Sequence, residues 1–237
     1  MDGAPARGRA AWLTSAGRAL LDLLFPPVCP GCGRAGVLLC DDCRARIQMI
    51  DAVELREPPA RLSAIASAAL FAPPLREAIH RFKYDNTRDL AGPLAAMMAA
   101  GWPRLGLAAD VLMPVPLHAR RLTERGYNQS ALLARGLAQA LAMPVDERTL
   151  IRRRHTRQQV GLGPEERRAN VADAFVCRGA VRGQRIILVD DVCTTGATLE
   201  ACAAALADAG AASVQGYTLA RARWLPGQPA PDAAPTL

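Results

Sequence analysis

The stretch from Arg185 to Thr198 restricts the possible fold more than any other part of the chain. Ile186, Ile187, Leu188 and Val189 form an uninterrupted aliphatic run, the pattern of a strand covered on both faces, as in a parallel sheet between helices. Two carboxylates, Asp190 and Asp191, follow at once, where a core strand does not tolerate them unpaired. Thr194, Thr195, Gly196, Ala197 and Thr198 then lead into an alanine-rich helical run. A buried strand, a short polar loop and a helix N-terminus make a phosphate cradle. Backbone N–H groups and the helix dipole face the anion, Gly196 allows close backbone approach, and the threonines add hydroxyl donors. The acids are placed to accept hydrogen bonds from sugar hydroxyls, so the stretch reads as a site for a ribose phosphate.

The chain has 237 residues, enough for one α/β domain and a small appendage. With 51% hydrophobic and only 4% aromatic residues, the core must be built from Ala, Leu and Val, which suits helices packed on a sheet. The formal charge of +7 favours polyanionic or phosphorylated partners. Lys83 is the single lysine. No apolar run reaches the roughly 18 residues of a membrane span. Leu20 to Phe25 is interrupted by Asp22 and is too short and charged for a secretory signal, so a cytoplasmic protein is expected.

Seven cysteines in such a setting read as thiols or metal ligands. Cys29 and Cys32, then Cys40 and Cys43, form two C-x2-C knuckles carrying Gly31 and Gly33. Each knuckle offers two thiolates to one metal, and four thiolates close a tetrahedral, structural zinc site. The segment has almost no apolar core of its own, so metal is expected to hold it.

In chain order, Ala10 to Phe25 reads as an amphipathic helix ended by Pro26 and Pro27, and Pro58 and Pro59 mark a linker. Ser63 to Phe71 reads as a strand, Leu75 to Tyr84 and Leu90 to Ala100 as helices. Lys83 reads as a charge matching the dipole of its helix, with a phosphate contact as the alternative. Asp110 to His118 is a buried strand stopped by proline. A polar loop carries Arg120, Arg121, Arg125 and Gly126 before a helix from Ser130 to Leu141, which reads as a second anion site. His118 and the arginine pair could equally be solvated. Thr149 to Asn170 reads as one long basic loop, functional or solvated. A strand from Val171 to Val176 precedes the opening motif. After it come a helix from Leu199 to Ala209, a Gly210 cap, a strand from Ser213 to Leu219 and a disordered tail.

Val189 to Thr198 resembles the PRPP motif of type I phosphoribosyltransferases. Together with Met113 to His118, Arg125 to Gln129, the segment reaching Gln158, and Arg168 to Asn170, the chain resembles the ComF family. The resemblance covers Leu23 to Arg221. It implies a type I phosphoribosyltransferase fold, a parallel sheet flanked by helices, with a small N-terminal zinc module. The expected division is a helix over 1–25, a zinc-binding four-cysteine module over 26–55, the phosphoribosyltransferase domain over 62–223 and a tail over 224–237. It further implies that Asp190 and Asp191 contact the ribose 2′- and 3′-hydroxyls, with Mg²⁺ bridging ribose and pyrophosphate. Thr194, Thr195, Gly196, Ala197 and Thr198 would bind the 5′-phosphate. Pro116, Leu117, His118 and Arg121, with Arg125, would lie on the pyrophosphate side. The Arg152–Arg168 stretch would be the lid, with Arg154 as its catalytic cation. The lid would exclude water from an oxocarbenium-like centre.

Two functions follow. One is Mg²⁺-dependent phosphoribosyl transfer from PRPP, linked to competence and DNA uptake. The other is an accessory protein of the DNA-uptake machinery that binds single-stranded DNA, its PRPP pocket regulatory or vestigial. Aromatic residues are not interleaved with the arginines, so no stacking platform for a strand is evident in the pattern. No base-specific pattern names the acceptor. Cys177, Cys193 and Cys202 read as packing residues.

Overall fold

The computed structural model describes residues 26–50, 60–154 and 163–222. The expected N-terminal helix and C-terminal tail lie outside the described residues, as does the middle of the expected lid.

Strands β1 (Ala64–Leu70), β2 (Val111–Pro114), β5 (Arg185–Cys193) and β6 (Ser213–Arg221) form a four-stranded sheet in the order β1-β6-β5-β2, every neighbour parallel. A second, two-stranded antiparallel sheet pairs β3 (Leu150–Arg152) with β4 (Phe175–Cys177). Helices cover both faces of the main sheet, as parallel pairing requires. On one face lie α2 (Leu75–Tyr84), α3 (Ala91–Gly101) and α5 (Gln129–Leu141). Leu75, Ile79, Phe82, Leu94, Met98, Leu133 and Leu137 there pack with Leu112, Ile187 and Val189 of the sheet. On the other face α7 (Ala197–Asp208) sets Leu199, Cys202 and Leu206 against Met113, Ile186 and Leu188. The alternation of Ile186 to Val189 between the two clusters is the period-2 geometry of a strand buried on both sides.

The helices form where the apolar spacing predicts. In α2, Leu75, Ala78, Ile79 and Phe82 fall on one stripe at helical spacing. Helices α3 and α5 pack closely: a Cβ on Gly136 would stand 2.6 Å from the Cβ of Ala95. Four expectations are corrected. The strand bearing the acids does not stop at Val189 but runs to Cys193, because β6 continues to pair with it through Cys193↔Arg221. The polar turn after His118 contains a helix, α4 (Ala119–Arg125), closed by Gly126 in the left-handed region at φ 78°. The basic stretch from Thr149 is not loop throughout. It holds β3 and a helix α6 (Pro164–Val171), whose first turn carries Glu165 and Glu166. The Gly163 N–H donates to the Glu166 carboxylate at 2.7 Å. The strand expected over 171–176 is thereby displaced to β4, beyond Asp173, which takes a left-handed φ of 54°.

The cysteine module shares the core of the main domain. Cys29, Leu39, Cys40, Cys43 and Ile47, flanking and including the short helix α1 (Asp41–Ala45), pack in one cluster with Leu75, Ile79 and Phe82. Gly31 lies so close to the turn before α2 that a Cβ there would meet the Cβ of Pro74 at 2.4 Å. The chain leaving the module runs along the outer edge of β1: the Ile50 N–H donates to Ala68 O at 2.9 Å and the Leu70 N–H to Gln48 O at 2.8 Å. At the opposite edge Leu112 N–H donates to Pro144 O at 3.0 Å, and Asp146 N–H to Leu112 O at 2.9 Å.

Candidate functional site: an acid pair between two strand–loop–helix units

The chain leaves β5 toward α7 on one face of the sheet and leaves β2 toward α5 on the other. A crevice opens where neighbouring connections diverge in this way, at the carboxyl ends of the strands. Val115 N–H still donates to Val189 O at 2.9 Å, but β2 ends opposite Val189. The two acids therefore sit just past the point where β5 loses that partner.

Their surroundings differ. Asp190 accepts from the Ser130 hydroxyl at 2.7 Å and from the Asp191 N–H at 2.9 Å. Burial and then the neighbouring charge of Asp191 push its carboxyl up to about 7, against the opposing pull of Ser130 and Lys83. Asp191 is 4% exposed and takes Lys83 Nζ at 2.9 Å on Oδ1, while its buried Oδ2 has no hydrogen-bond partner. Burial alone would lower the Lys83 ammonium, but the charge and hydrogen bond of Asp191 outweigh it and the pKa is raised. The reading of Lys83 as only a helix-end charge is thus corrected: it closes α2 and reaches across to the acid pair. Sequence reasoning missed Ser130, because its approach to Asp190 spans 60 residues. The one local hint is its place two residues after the Asn128 cap.

Beyond β5, Gly196 stands at φ 80° as the N-cap of α7, and its carbonyl accepts from Glu200 N–H at 2.9 Å. Thr194, Thr195 and Thr198 are half-buried around it, and Gly196 and Ala197 are buried. A cavity of about 260 Å³ touches this loop at Thr195 and Ala197 and is lined also by Ala60, Arg168 and Glu200. Cys193 is buried beneath the loop with Arg221 Nη1 donating to its Sγ at 2.7 Å, and burial pushes its thiol pKa up. Cys202 is buried as well, which fits packing roles for both.

The second unit supplies cations. Pro116, Leu117 and His118 are half-buried between β2 and α4, and His118 Nδ1 accepts from Arg120 N–H at 3.2 Å, capping that helix. Arg121 has a lowered pKa, from burial and then from Arg125; Arg152 is lowered likewise, from burial and then from Arg121. Arg121 thus lies near enough to Arg125 and to Arg152 for like charges to oppose one another, and such cations favour an anion beside them. Arg154 Nη2 donates to the carbonyls of Asn170, at 3.2 Å, and Ala172, fastening the base of the expected lid to the end of α6.

The segment Arg125–Gln129 is largely scaffolding. Gly126 ends α4, and the Tyr127 hydroxyl donates to Phe82 O at the end of α2. The Asn128 side chain caps α5 through Ser130 N–H at 3.0 Å and donates to Val115 O at 3.0 Å. Gln129 accepts from Arg125 at 2.6 Å. Together these contacts hold α2, α4 and the mouth of β2 around the acids.

Apart from this crevice, the sulfurs of Cys29, Cys32, Cys40 and Cys43 lie within 4.8 Å of one another. Zinc–thiolate bonds of about 2.3 Å imply tetrahedral S–S edges of about 3.8 Å. Cys29–Cys40 at 3.7 Å and Cys32–Cys40 at 3.6 Å match that edge, so the residues fit structural zinc. No helix among the described residues is long and apolar enough to cross a membrane.

Comparison with known proteins agrees with this geometry. Residues 128–229 match the phosphoribosyl transferase domain family and residues 20–53 the double zinc ribbon domain family. DNA utilization protein YhgH of Salmonella typhimurium is 34% identical over 205 residues, covering 82% of this chain and 90% of that one. Competence protein ComFC of Bacillus subtilis is 30% identical over 209 residues, covering 86% and 82%. Competence protein F of Haemophilus influenzae is 36% identical over 158 residues, covering 63% and 69%. Among solved structures, the B. subtilis glutamine PRPP amidotransferase complexed with ADP and GMP aligns loosely, at 24% identity and a TM-score of 0.38, over 56% of this chain and 26% of that one. A cysteine-knuckle zinc ribbon joined to a type I phosphoribosyltransferase domain, in a chain alike over most of its length to competence and DNA utilization proteins, makes this protein a member of the ComF family.

Proposed function

We propose that the chain binds PRPP with Mg²⁺ and transfers its phosphoribosyl group to an acceptor in the service of DNA uptake or utilization. The observation that carries this reading is the buried acid pair in the crevice, with Asp191 Oδ2 buried and without a hydrogen-bond partner. An orphaned carboxylate oxygen beside a second carboxylate suits a hard divalent cation and sugar hydroxyls. Mg²⁺ held by Asp190 and Asp191 would neutralise charge on the pyrophosphate. The loop Thr194–Thr198 would take the 5′-phosphate at the N-terminus of α7. The cations Arg121, Arg125 and Arg152 would suit the pyrophosphate, and Arg154, through its hold on α6, would set where the lid hinges. In the transfer, the bond from ribose C1 to the pyrophosphate oxygen breaks, and the electron pair leaves with pyrophosphate. An acceptor lone pair forms the new bond at C1 and the acceptor loses a proton. The protein's contribution is orientation and charge stabilisation. A cytoplasmic setting, where thiols stay reduced, suits both the cysteine module and a PRPP supply.

Thermal shift with PRPP and Mg²⁺ tests this. At a ligand concentration of 100 Kd, binding stabilises by about 2.7 kcal/mol, a rise of about 5–10 °C for a domain of this size. Asp190→Asn combined with Asp191→Asn should remove the rise, and an unshifted wild-type protein refutes the reading. The alternative is a DNA-uptake accessory protein that binds single-stranded DNA, its PRPP pocket regulatory or vestigial; the relatives' names, DNA utilization and competence, suit either reading. On that alternative a regulatory pocket binds PRPP without pyrophosphate release on any acceptor, and a vestigial one does not bind it. Neutralising Arg152, Arg153 and Arg154 together would then flatten the salt dependence of DNA binding.

A further inference from the structure

Helix α2 joins the cysteine module to the crevice. At its start, Gly31 is wedged between the helix and a metal ligand: a Cβ on it would stand 2.4 Å from the Cβ of Pro74 and 2.9 Å from Cys43 Sγ. Leu75, Ala78 and Ile79 are buried in the cluster that holds Leu39, Cys43 and Ile47. At its end, Lys83 Nζ holds Asp191 at 2.9 Å, and Phe82 O accepts from the Tyr127 hydroxyl. Tyr127 stands three residues before Ser130, whose hydroxyl donates to Asp190. One helix end thus reaches both acids, Asp191 directly and Asp190 through the start of α5. The helix does not hold itself. It has ten residues, and Pro74 at its N-cap offers no side-chain hydrogen bond. A helix that short is marginal in water, so packing decides whether it forms. Its N-terminal half packs on a module with few apolar residues of its own, of the kind whose folding is bound up with metal.

We propose that α2 couples the cysteine module to the acid pair, so that zinc in the module and ligand at the acids strengthen each other's binding. For its ligand, PRPP with Mg²⁺, the inference rests on the phosphoribosyl-transfer reading. Two states of the helix carry the coupling. With the module closed on metal, Gly31 and Ile47 seat the start of α2, and its end delivers Lys83 and Phe82 O to the crevice. With the module open, the start of α2 loses its cover and the helix frays. Asp191 then loses its ammonium and Tyr127 its acceptor, so the acids are no longer set for a ligand. Metal and ligand each favour the seated helix, and linkage makes that effect mutual although the two never touch. The module is then a control on whether the crevice is assembled, in addition to being a staple.

Zinc affinity of the full chain, measured at equilibrium against a zinc-selective chromophoric chelator, tests this. Without PRPP, Lys83→Met should weaken zinc binding about tenfold, an ordinary size for coupling between sites. Equal affinities in wild type and Lys83→Met overturn the inference. Gly136→Ala, which crowds α3 against α5, separates coupling from a general loss of stability. Its zinc affinity should match the wild type, and a loss as large as that of Lys83→Met overturns the inference. Saturating PRPP with excess Mg²⁺ should tighten zinc binding about tenfold in the wild type and leave Lys83→Met unchanged. If thermal shift shows PRPP bound while the zinc affinity stays where it was, the coupling is overturned and the transfer reading stands. If PRPP does not bind the zinc-loaded wild type, the transfer reading falls, and the comparison of Lys83→Met with wild type and Gly136→Ala decides the coupling alone.

Discussion

Asp190 and Asp191 are neighbours in sequence but are held by different partners, and this separates what each can do. Lys83 compensates Asp191, whereas Asp190 has a hydroxyl and an N–H, neither of which carries charge. Removing a charged partner from a buried acid is expensive, about 3–5 kcal/mol. Lys83→Met should destabilise the apo protein by about 3 kcal/mol in urea unfolding, at the low end because the Lys83 side chain keeps 21% of its exposure. Adding Asp191→Asn should restore part of the loss, which a double-mutant cycle measures. Asp190 gives a pH dependence of definite sign. Its folded pKa of about 7 lies above the unfolded value near 3.8, so the folded state binds the extra proton between those limits. Its contribution is fully favourable below about 4 and is lost as pH rises through about 7. Asp190→Asn removes this titration, so its melting temperature relative to wild type should climb between about pH 5 and pH 8 while PRPP binding is lost. A constant difference across that range would contradict the burial of Asp190. At this scale, the acids and the loop after them were legible because their chemistry is local. Ser130 and the pairing of Lys83 were not, since contacts so distant along the chain leave no trace in spacing.

At the scale of elements, the strands and long helices were legible wherever hydrophobic period and length agreed, as in α2, whose bounds Leu75 and Tyr84 match the apolar stripe. The short polar helices α4 and α6 were not. Both lack a continuous apolar stripe and are defined by their ends: His118 and Gly126 for α4, Gly163 and Glu166 for α6. The crossing of α3 and α5 is a further feature that pattern alone does not reveal. Gly136 is a poor helix former by about 1 kcal/mol, so an alanine there would help an isolated helix. Against Ala95 it should do the reverse, since a Cβ at 2.6 Å from another Cβ must push two backbones apart. Overpacking of this kind costs about 1–3 kcal/mol. Gly136→Ala should therefore lower stability in chemical denaturation, and the swap Gly136→Ala with Ala95→Gly should recover most of it. Unchanged stability in the single variant would mean that the helices are free to separate.

At the scale of the molecule, the cysteine module and the main domain act as one body, through the shared cluster around Leu75 and Phe82 and the tight approach of Gly31 to Pro74. The paired knuckles announced a metal site in the sequence, but not that its ligands would border the sheet core, because the module's few apolar residues, such as Leu39 and Ile47, form a core only together with α2. The strand of chain that leaves the module has a further consequence. By hydrogen-bonding along β1 it occupies a row of backbone groups that would otherwise template another chain, while Pro144 and Asp146 cover β2 on the far side. The sheet is thus closed to growth at both margins, and one closure is made by the segment that leaves the cysteine module. Stripping zinc with a chelator should loosen residues 48–50 and unmask β1, so that light scattering rises with protein concentration and falls again when zinc is restored. Scattering that ignores the chelator would mean that the margin stays shut without metal. On this prediction, the metal that shapes the module would also guard the outer margin of the sheet.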